Sequence, residues 1–437
     1  MSCVRVFVCA LAAVISAIPA VTSAAESTTF VILPGNFTLH GPACRQRLVV
    51  EERRGEQFVG PASQAFGILV DGKVQTGVTV TPQAPDKLVP FSNVTLKSSD
   101  EKIVRIDGET AVPVGDGTAT IEGTVLLGTI GKSLAVPIEP ITVRVVDMQK
   151  PFQWSFRNHV ESVMLKTGCT TGPCHGAQAG KGGFKLSLRG YDPEGDFTAL
   201  TRQARGRRIT PTDPGRSLIL TKPTGAVPHK GGLRFRVDSL EYKVISEWIA
   251  AGTPAPKPDD ARIERIEILP HNVTLKKAAE QQLIVLAHFS DGRTEDVTRW
   301  TLFTSANESA VQVDQTGLAK TVGYGEGAVT AWYLSKVTTS SISVPLETPI
   351  SADVFTKSPR RNFIDELALG KLQSLGIKPS PECSDGEFIR RVYLDTLGIL
   401  PTMAETNAFL ADKSADKQQQ ADRRRPRSPR VRRLLGV

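Results

Sequence analysis

The sequence predicts a multi-domain chain in which two β-sandwich modules flank a small α-helical unit, with a further α-helical segment after them. Three observations lead there. A stretch near the start of the chain recurs far downstream, in the same order and wording. Between the copies the apolar pattern changes from two-residue alternation to helical spacing, around a pair of cysteines. Past residue 360 the apolar residues again follow a helical period. A length of 437 residues accommodates several domains at roughly 100–200 residues each. Plentiful Gly and Pro and an aromatic content of only 6% suit turn-rich β modules better than one large enzyme core.

The repeat begins with Ile32-Leu33-Pro34-Gly35-Asn36-Phe37-Thr38-Leu39, echoed by Ile268-Leu269-Pro270-His271-Asn272-Val273-Thr274-Leu275. Each copy then enters an apolar strand, Leu48-Val49-Val50 or Leu283-Ile284-Val285. Each ends in alternating β-formers, Ile141 to Val146 and Ser340 to Val344. Short alternating strands between Gly, Asp and Asn turns indicate sandwiches, over residues 28–147 and 262–347. The first copy carries an insertion around Gln57 to Gln83. In the second, Phe289 to Thr298 reads as a hairpin closed at Asp291-Gly292. Asp291, Glu295 and Asp296 fit a solvated hairpin better than a calcium site, and His271 and His288 fit turn and strand positions better than ligand roles. On the hairpin and on Val313 to Leu318, the second copy resembles the bacterial group 2 immunoglobulin-like domain. That resemblance implies an Ig-like β-sandwich serving as a spacer or adhesive unit, and the first copy is a divergent relative of it.

The segment 150–256 carries the chemistry. Phe152, Phe156, Val160, Val163 and Met164 follow helical spacing, with His159 expected on the helix surface. Gly168-Cys169-Thr170-Thr171-Gly172-Pro173-Cys174-His175 follows, then a glycine-rich loop. A last helix starts at Ser239, presents Leu240, Val244, Trp248 and Ala251 on one face, and stops at Gly252. In an oxidising compartment such a close pair of thiols is a disulfide, a metal clip or a covalent cofactor site. Spacing alone leaves a simple Cys169–Cys174 disulfide equally open. Zinc is a poorer fit, since no second Cys-x-x-Cys or His pair is near. Cys44 and Cys383 show no role.

The order of helix, cysteine pair with His, glycine-rich loop and aromatic-bearing helix is similar to a small c-type cytochrome. Gly182 to Asp192 and Val227 to Phe235 sharpen this: with the cysteine pair they resemble the planctomycete-type cytochrome-c-like domain. Four residues separate the cysteines, where the usual attachment run has two. The resemblance implies heme c, with Cys169 and Cys174 as thioether anchors and His175 as proximal ligand. No Met lies in the distal loop, whereas His229 does, so bis-His ligation of the iron by His175 and His229 is the leading expectation and an open or water-bound iron its rival. A bis-His iron is expected at lower potential than a His/Met one. The expected activity is one-electron transfer with a redox partner protein, rather than turnover of an organic substrate. The competing expectation is a heme-free Ig-like surface adhesion or scaffold protein with a Cys169–Cys174 disulfide.

Residues 1–25 read as a secretory signal: Arg5, an apolar run from Val6 to Ala20, then small residues at Ser23-Ala24-Ala25. The remainder holds no 18-residue apolar stretch. Export to the periplasm or cell surface follows, and there the Ig-like modules have a surface polysaccharide or a protein as expected ligand. The net charge of +8 is concentrated in Arg423 to Val437, which holds seven Arg and no acid, so the body is nearly neutral and no nucleic-acid partner is expected. Residues 355–420 are helical and resemble the start of the domain of unknown function that accompanies these modules in planctomycete-type surface proteins. The basic run over 421–437 loses all apolar period and reads as translation out of frame or a truncated product.

Overall fold

The computed structural model describes residues 28–64, 67–70, 73–76, 91–129, 132–414 and 416–418. The signal segment, part of the insertion and the basic tail lie outside the described residues. The chain divides into two units, Met1–Leu346 and Glu347–Val437.

In the first module Thr28–Leu33 pairs antiparallel with Val49–Arg54, and Val49–Arg54 with Gln57–Pro61. The opposite sheet orders Phe37–His40, Lys132–Val146, Gly117–Thr129 and Phe91–Ser98. Ile141, Val143 and Val145 are buried while Thr142 and Arg144 between them are exposed, the period-two pattern of a strand with one covered face. These side chains meet Phe30, Ile32, Leu39 and Leu48 in one core.

The repeated motif performs the same manoeuvre in both copies. Its first half pairs antiparallel in one sheet, as Ile32↔Val50 and Ile268↔Val285. After the Leu-Pro turn its second half crosses to the other sheet and runs parallel to the last strand, as Phe37↔Val143 and Val273↔Ile342. The recurrence in sequence is therefore one of topology. The hairpin at Asp291-Gly292 also forms, pairing Ile284–Phe289 with Thr294–Asp296.

The two modules are not independent beads. Gln57–Pro61 of the first pairs with Asn272–Thr274 of the second at Phe58↔Val273, so one seven-stranded sheet runs through both. The hairpin lies in this junction: Asp296 accepts from the Arg47 backbone N–H at 2.7 Å and from Gln46 Nε2 at 3.3 Å. The expected solvated hairpin is thus corrected. Asp291 and Glu295 are both ion-paired to Arg293, between them in sequence. His271 and His288 both face Glu267, at 3.4 and 3.2 Å.

The helical segment, with α1 (Glu161–Lys166), α2 (Pro193–Thr201), α3 (Leu218–Thr221) and α4 (Leu240–Ala250), shares one apolar core with the second sandwich. Phe156, Phe197 and Trp248 form its aromatic centre, with ring centroids 5.3–6.2 Å apart. Ser239 caps α4 by accepting from the Tyr242 N–H, and Gly252 ends it at φ +87°. The buried face of α4 is Val244, Ile245, Trp248 and Ile249, whereas Ala251 is exposed. Phe152 stands outside the first helix, because Ser155 caps the turn that starts at Phe156.

In the second unit α5 (Ala352–Thr356), α6 (Phe363–Ser374), α7 (Asp385–Leu397) and α8 (Met403–Ala411) follow one another. Asn362, Ser384 and Thr402 each head a reciprocal capping box. Its buried apolar side chains are few, namely Phe355, Leu369, Ile389 and Phe409, while Phe363, Ile364 and Leu367 are exposed. Among the described residues no helix is long and apolar enough to cross a membrane.

Candidate functional site

The cysteine loop begins where α1 ends. Gly168 turns at φ +82°, and the Cys169 N–H donates to Met164 O at 2.7 Å, drawing the thiol into the helical core. Burial pushes the Cys169 thiol up from its ordinary value. The chain then coils back on itself: the His175 N–H donates to Cys169 O at 2.9 Å and the Gly176 N–H to Thr171 O at 3.0 Å. A Cβ on Gly176 would lie 2.1 Å from Thr170 O, so only glycine permits this return. The coil makes two cysteines five positions apart share one wall.

His175 is oriented from behind. Its Nδ1 bonds Phe184 O at 2.9 Å, and its backbone carbonyl accepts from Leu186 N–H at 2.9 Å. With Nδ1 as donor, the Nε2 lone pair is left for a ligand role. Burial lowers the His175 pKa, which keeps that lone pair available near neutrality. The Phe184 carbonyl is presented by the tight turn at Gly182 and Gly183, and the Phe184 ring packs under the Arg208 guanidinium at 4.2 Å. Across the site, His229 bonds Gly232 O through Nδ1 at 3.1 Å.

All four residues singled out from the sequence meet here. Cys169, Cys174, His175 and His229 line one cavity of about 420 Å³, inside the roughly 300–1,000 Å³ range of small-molecule and cofactor sites. Leu200, Leu218 and Ile219 supply apolar wall; Arg207, Lys222 and Arg234 bring positive charge, and among the described residues no carboxylate lines it. These cations escaped sequence reasoning, because they are scattered over the segment without a motif. Among the described residues no three His, Cys, Asp or Glu side chains cluster to hold a bare ion.

The Cys169–Cys174 disulfide of the competing expectation is not formed; both are free thiols. Each sulfur has another neighbour: Thr167 Oγ1 lies 3.4 Å from Cys169 Sγ, and Arg234 donates to Cys174 Sγ at 3.5 Å. His159 is also displaced from its expected surface place. It is half-buried against Trp154 and Trp300, with ring centroids 5.1 and 6.1 Å away.

Comparison with known proteins bears on the modules at either end. Residues 262–341 match the family of the bacterial Ig-like domain (group 2). The second sandwich is thus an Ig-like module, and residues 363–432 match a protein of unknown function family (DUF1549). The latter match runs past Gln420 into the arginine-rich stretch. Ice-binding protein 1 of Shewanella frigidimarina is 33% identical over 85 residues, which is 20% of this chain and 10% of that protein, so the chain spans about a tenth of that relative's length. Among solved structures, domains 5-6 of the S-layer protein SbsC are 10% identical with a TM-score of 0.22, covering 73% of this chain and 98% of that one. Invasin, a bacterial integrin-binding protein, is 10% identical with a TM-score of 0.13, covering 73% and 38%. Superpositions this loose carry no argument about the present chain.

Proposed function

We propose that this chain is an exported surface scaffold of Ig-like modules whose helical segment holds a covalently attached heme and passes single electrons. The observation that carries the heme half is the convergence of Cys169, Cys174, His175 and His229 on one cavity. The donor chemistry fits: two free thiols on one wall suit thioether anchors, an imidazole held through Nδ1 suits an axial nitrogen, and the cationic lining suits the two carboxylates of a heme. When bound, a heme would supply one-electron redox chemistry. The chain's own part is to hold the ring through Cys169 and Cys174, orient His175, and keep water from the apolar wall. The Ig-like match supports the scaffold half.

A second reading is supported by the Ig-like family match over residues 262–341. It is a heme-free surface scaffold or adhesion protein, its cysteines remaining thiols. One measurement separates the two. The protein is exported in a host with cytochrome c maturation machinery, then its visible spectrum and a heme stain after denaturing electrophoresis are recorded. The heme reading requires a Soret band that stays with the denatured chain and is lost in Cys174→Ser. A colourless protein leaves the scaffold alone. With heme present, His229→Ala tests the distal ligand through the spectrum of the ferric protein.

A further inference from the structure

A second hollow opens where three parts of the first unit meet. The loop His40 to Arg45 of the first sandwich, the stretch Phe152 to His159 before α1, and the region Asp291 to Trp300 of the Ig-like module enclose a cleft of about 550 Å³. It shares no lining residue with the cysteine cavity, so its chemistry is independent of any heme.

Its distinctive feature is a set of aromatic rings. Phe152 and Trp154 stand edge to face with centroids 4.6 Å apart, and Trp154 meets Trp300 at 6.1 Å. Phe152 is 46% exposed, so the cleft presents a large apolar ring to solvent. The indole of Trp154 is held by donation from Nε1 to Glu247 Oε2 at 2.7 Å.

Hydrogen-bonding groups stand beside the rings. Asn158 lines the cleft, gives Nδ2 to Ala261 O at 3.1 Å, and has its Oδ1 buried without a partner. His159 accepts the Ser155 N–H at Nδ1, which puts its ring proton on Nε2 as a donor. Burial holds His159 neutral, with its pKa lowered to about 4.

Several of the charges here are paired, while Lys150 and Arg299 also line the cleft. Arg293 is tied to Asp291 and Glu295, Asp296 to the Arg47 N–H, and Arg45 donates to the carbonyls of Pro42 and Cys44. Beside these charges stand flat apolar rings and separate neutral hydrogen-bonding groups. A pyranose presents the matching surface, with C–H groups on its faces and hydroxyls around its edge.

We propose that this cleft binds an uncharged sugar unit of a polysaccharide. The test is affinity electrophoresis of the full chain through gels containing dextran, laminarin, xylan or hydroxyethyl cellulose, with dextran sulfate as the anionic comparison. Retardation is expected in at least one neutral gel, with binding weakened about tenfold in Phe152→Ala and Trp154→Ala, a change equivalent to about 1.4 kcal/mol. Phe152 is exposed, so its replacement leaves the fold intact, which circular dichroism checks. Passage through all four neutral gels without retardation would overturn the proposal. So would retardation in dextran sulfate alone, or neutral binding indifferent to both substitutions.

Discussion

Gln281 of the Ig-like module donates Nε2 to the buried Glu51 carboxyl of the first sandwich, with 2.6 Å to Oε1. Both side chains are fully buried, so the contact is a neutral bridge across the junction of the two modules. Burial raises the Glu51 pKa to about 8, the hydrogen bond from Gln281 opposing it only in part.

Stability depends on pH through this proton. Below the ordinary carboxyl value Glu51 is protonated in folded and unfolded chains alike. Between that value and about 8 the folded chain keeps the proton while the unfolded chain releases it, so stability falls as pH rises through this window. Glu51→Gln removes the titration, and its urea midpoint is expected to vary less between pH 5 and 8. The difference in slope is at most about 1.4 kcal/mol per pH unit. Equal slopes in the two proteins would mean that Glu51 is ionised in the folded state.

The return of the cysteine loop depends on Gly176. A methyl there meets Thr170 O at 2.1 Å, and a backbone carbonyl cannot swing aside as a flexible side chain can. Gly176→Ala is expected to destabilise by about 1–3 kcal/mol and to displace Cys174 and His175. Thermal unfolding reads the first effect, and the rate of Cys174 labelling by a thiol reagent the second. Unchanged melting and labelling would show that the loop has another available path.

Tyr333 couples the Ig-like module to the helical segment by donating its hydroxyl to Asn158 O at 3.0 Å in the buried interior. Ser162 Oγ donates to the same carbonyl at 2.7 Å, so the acceptor stays satisfied without Tyr333. Tyr333→Phe is therefore expected to cost only about 0.5–1.5 kcal/mol, measured by urea denaturation. A loss above about 3 kcal/mol would point to a larger rearrangement at this junction.

The elements legible in the sequence are those specified by near neighbours. Ser239 and Gly252 bound α4 because a cap and a left-handed terminus are local events. The Asp291-Gly292 turn forms for the same reason, with Gly292 at φ +83°. The four residues of the cysteine cavity were also legible, since three sit in one short run and His229 is the His of the following glycine-flanked loop. The reading failed where a neighbour arrives from another module. Asp296 looked solvent-facing until Arg47 closed over it, and His159 looked like a surface residue until Trp300 packed against it.

The sequence by itself determined the repeated β motif, the strand and helix periods, and the chemical identity of the thiols and imidazoles, all of which depend on residues close along the chain. Tertiary structure alone decided that the two sandwiches share a sheet at Phe58↔Val273, that Gln281 reaches Glu51, and that Phe152, Trp154 and Trp300 enclose one cleft. Those relationships join residues up to 230 positions apart, as Glu51 and Gln281 are. Burying apolar surface sets such neighbours, and that driving force is proportional to area and carries no direction along the sequence.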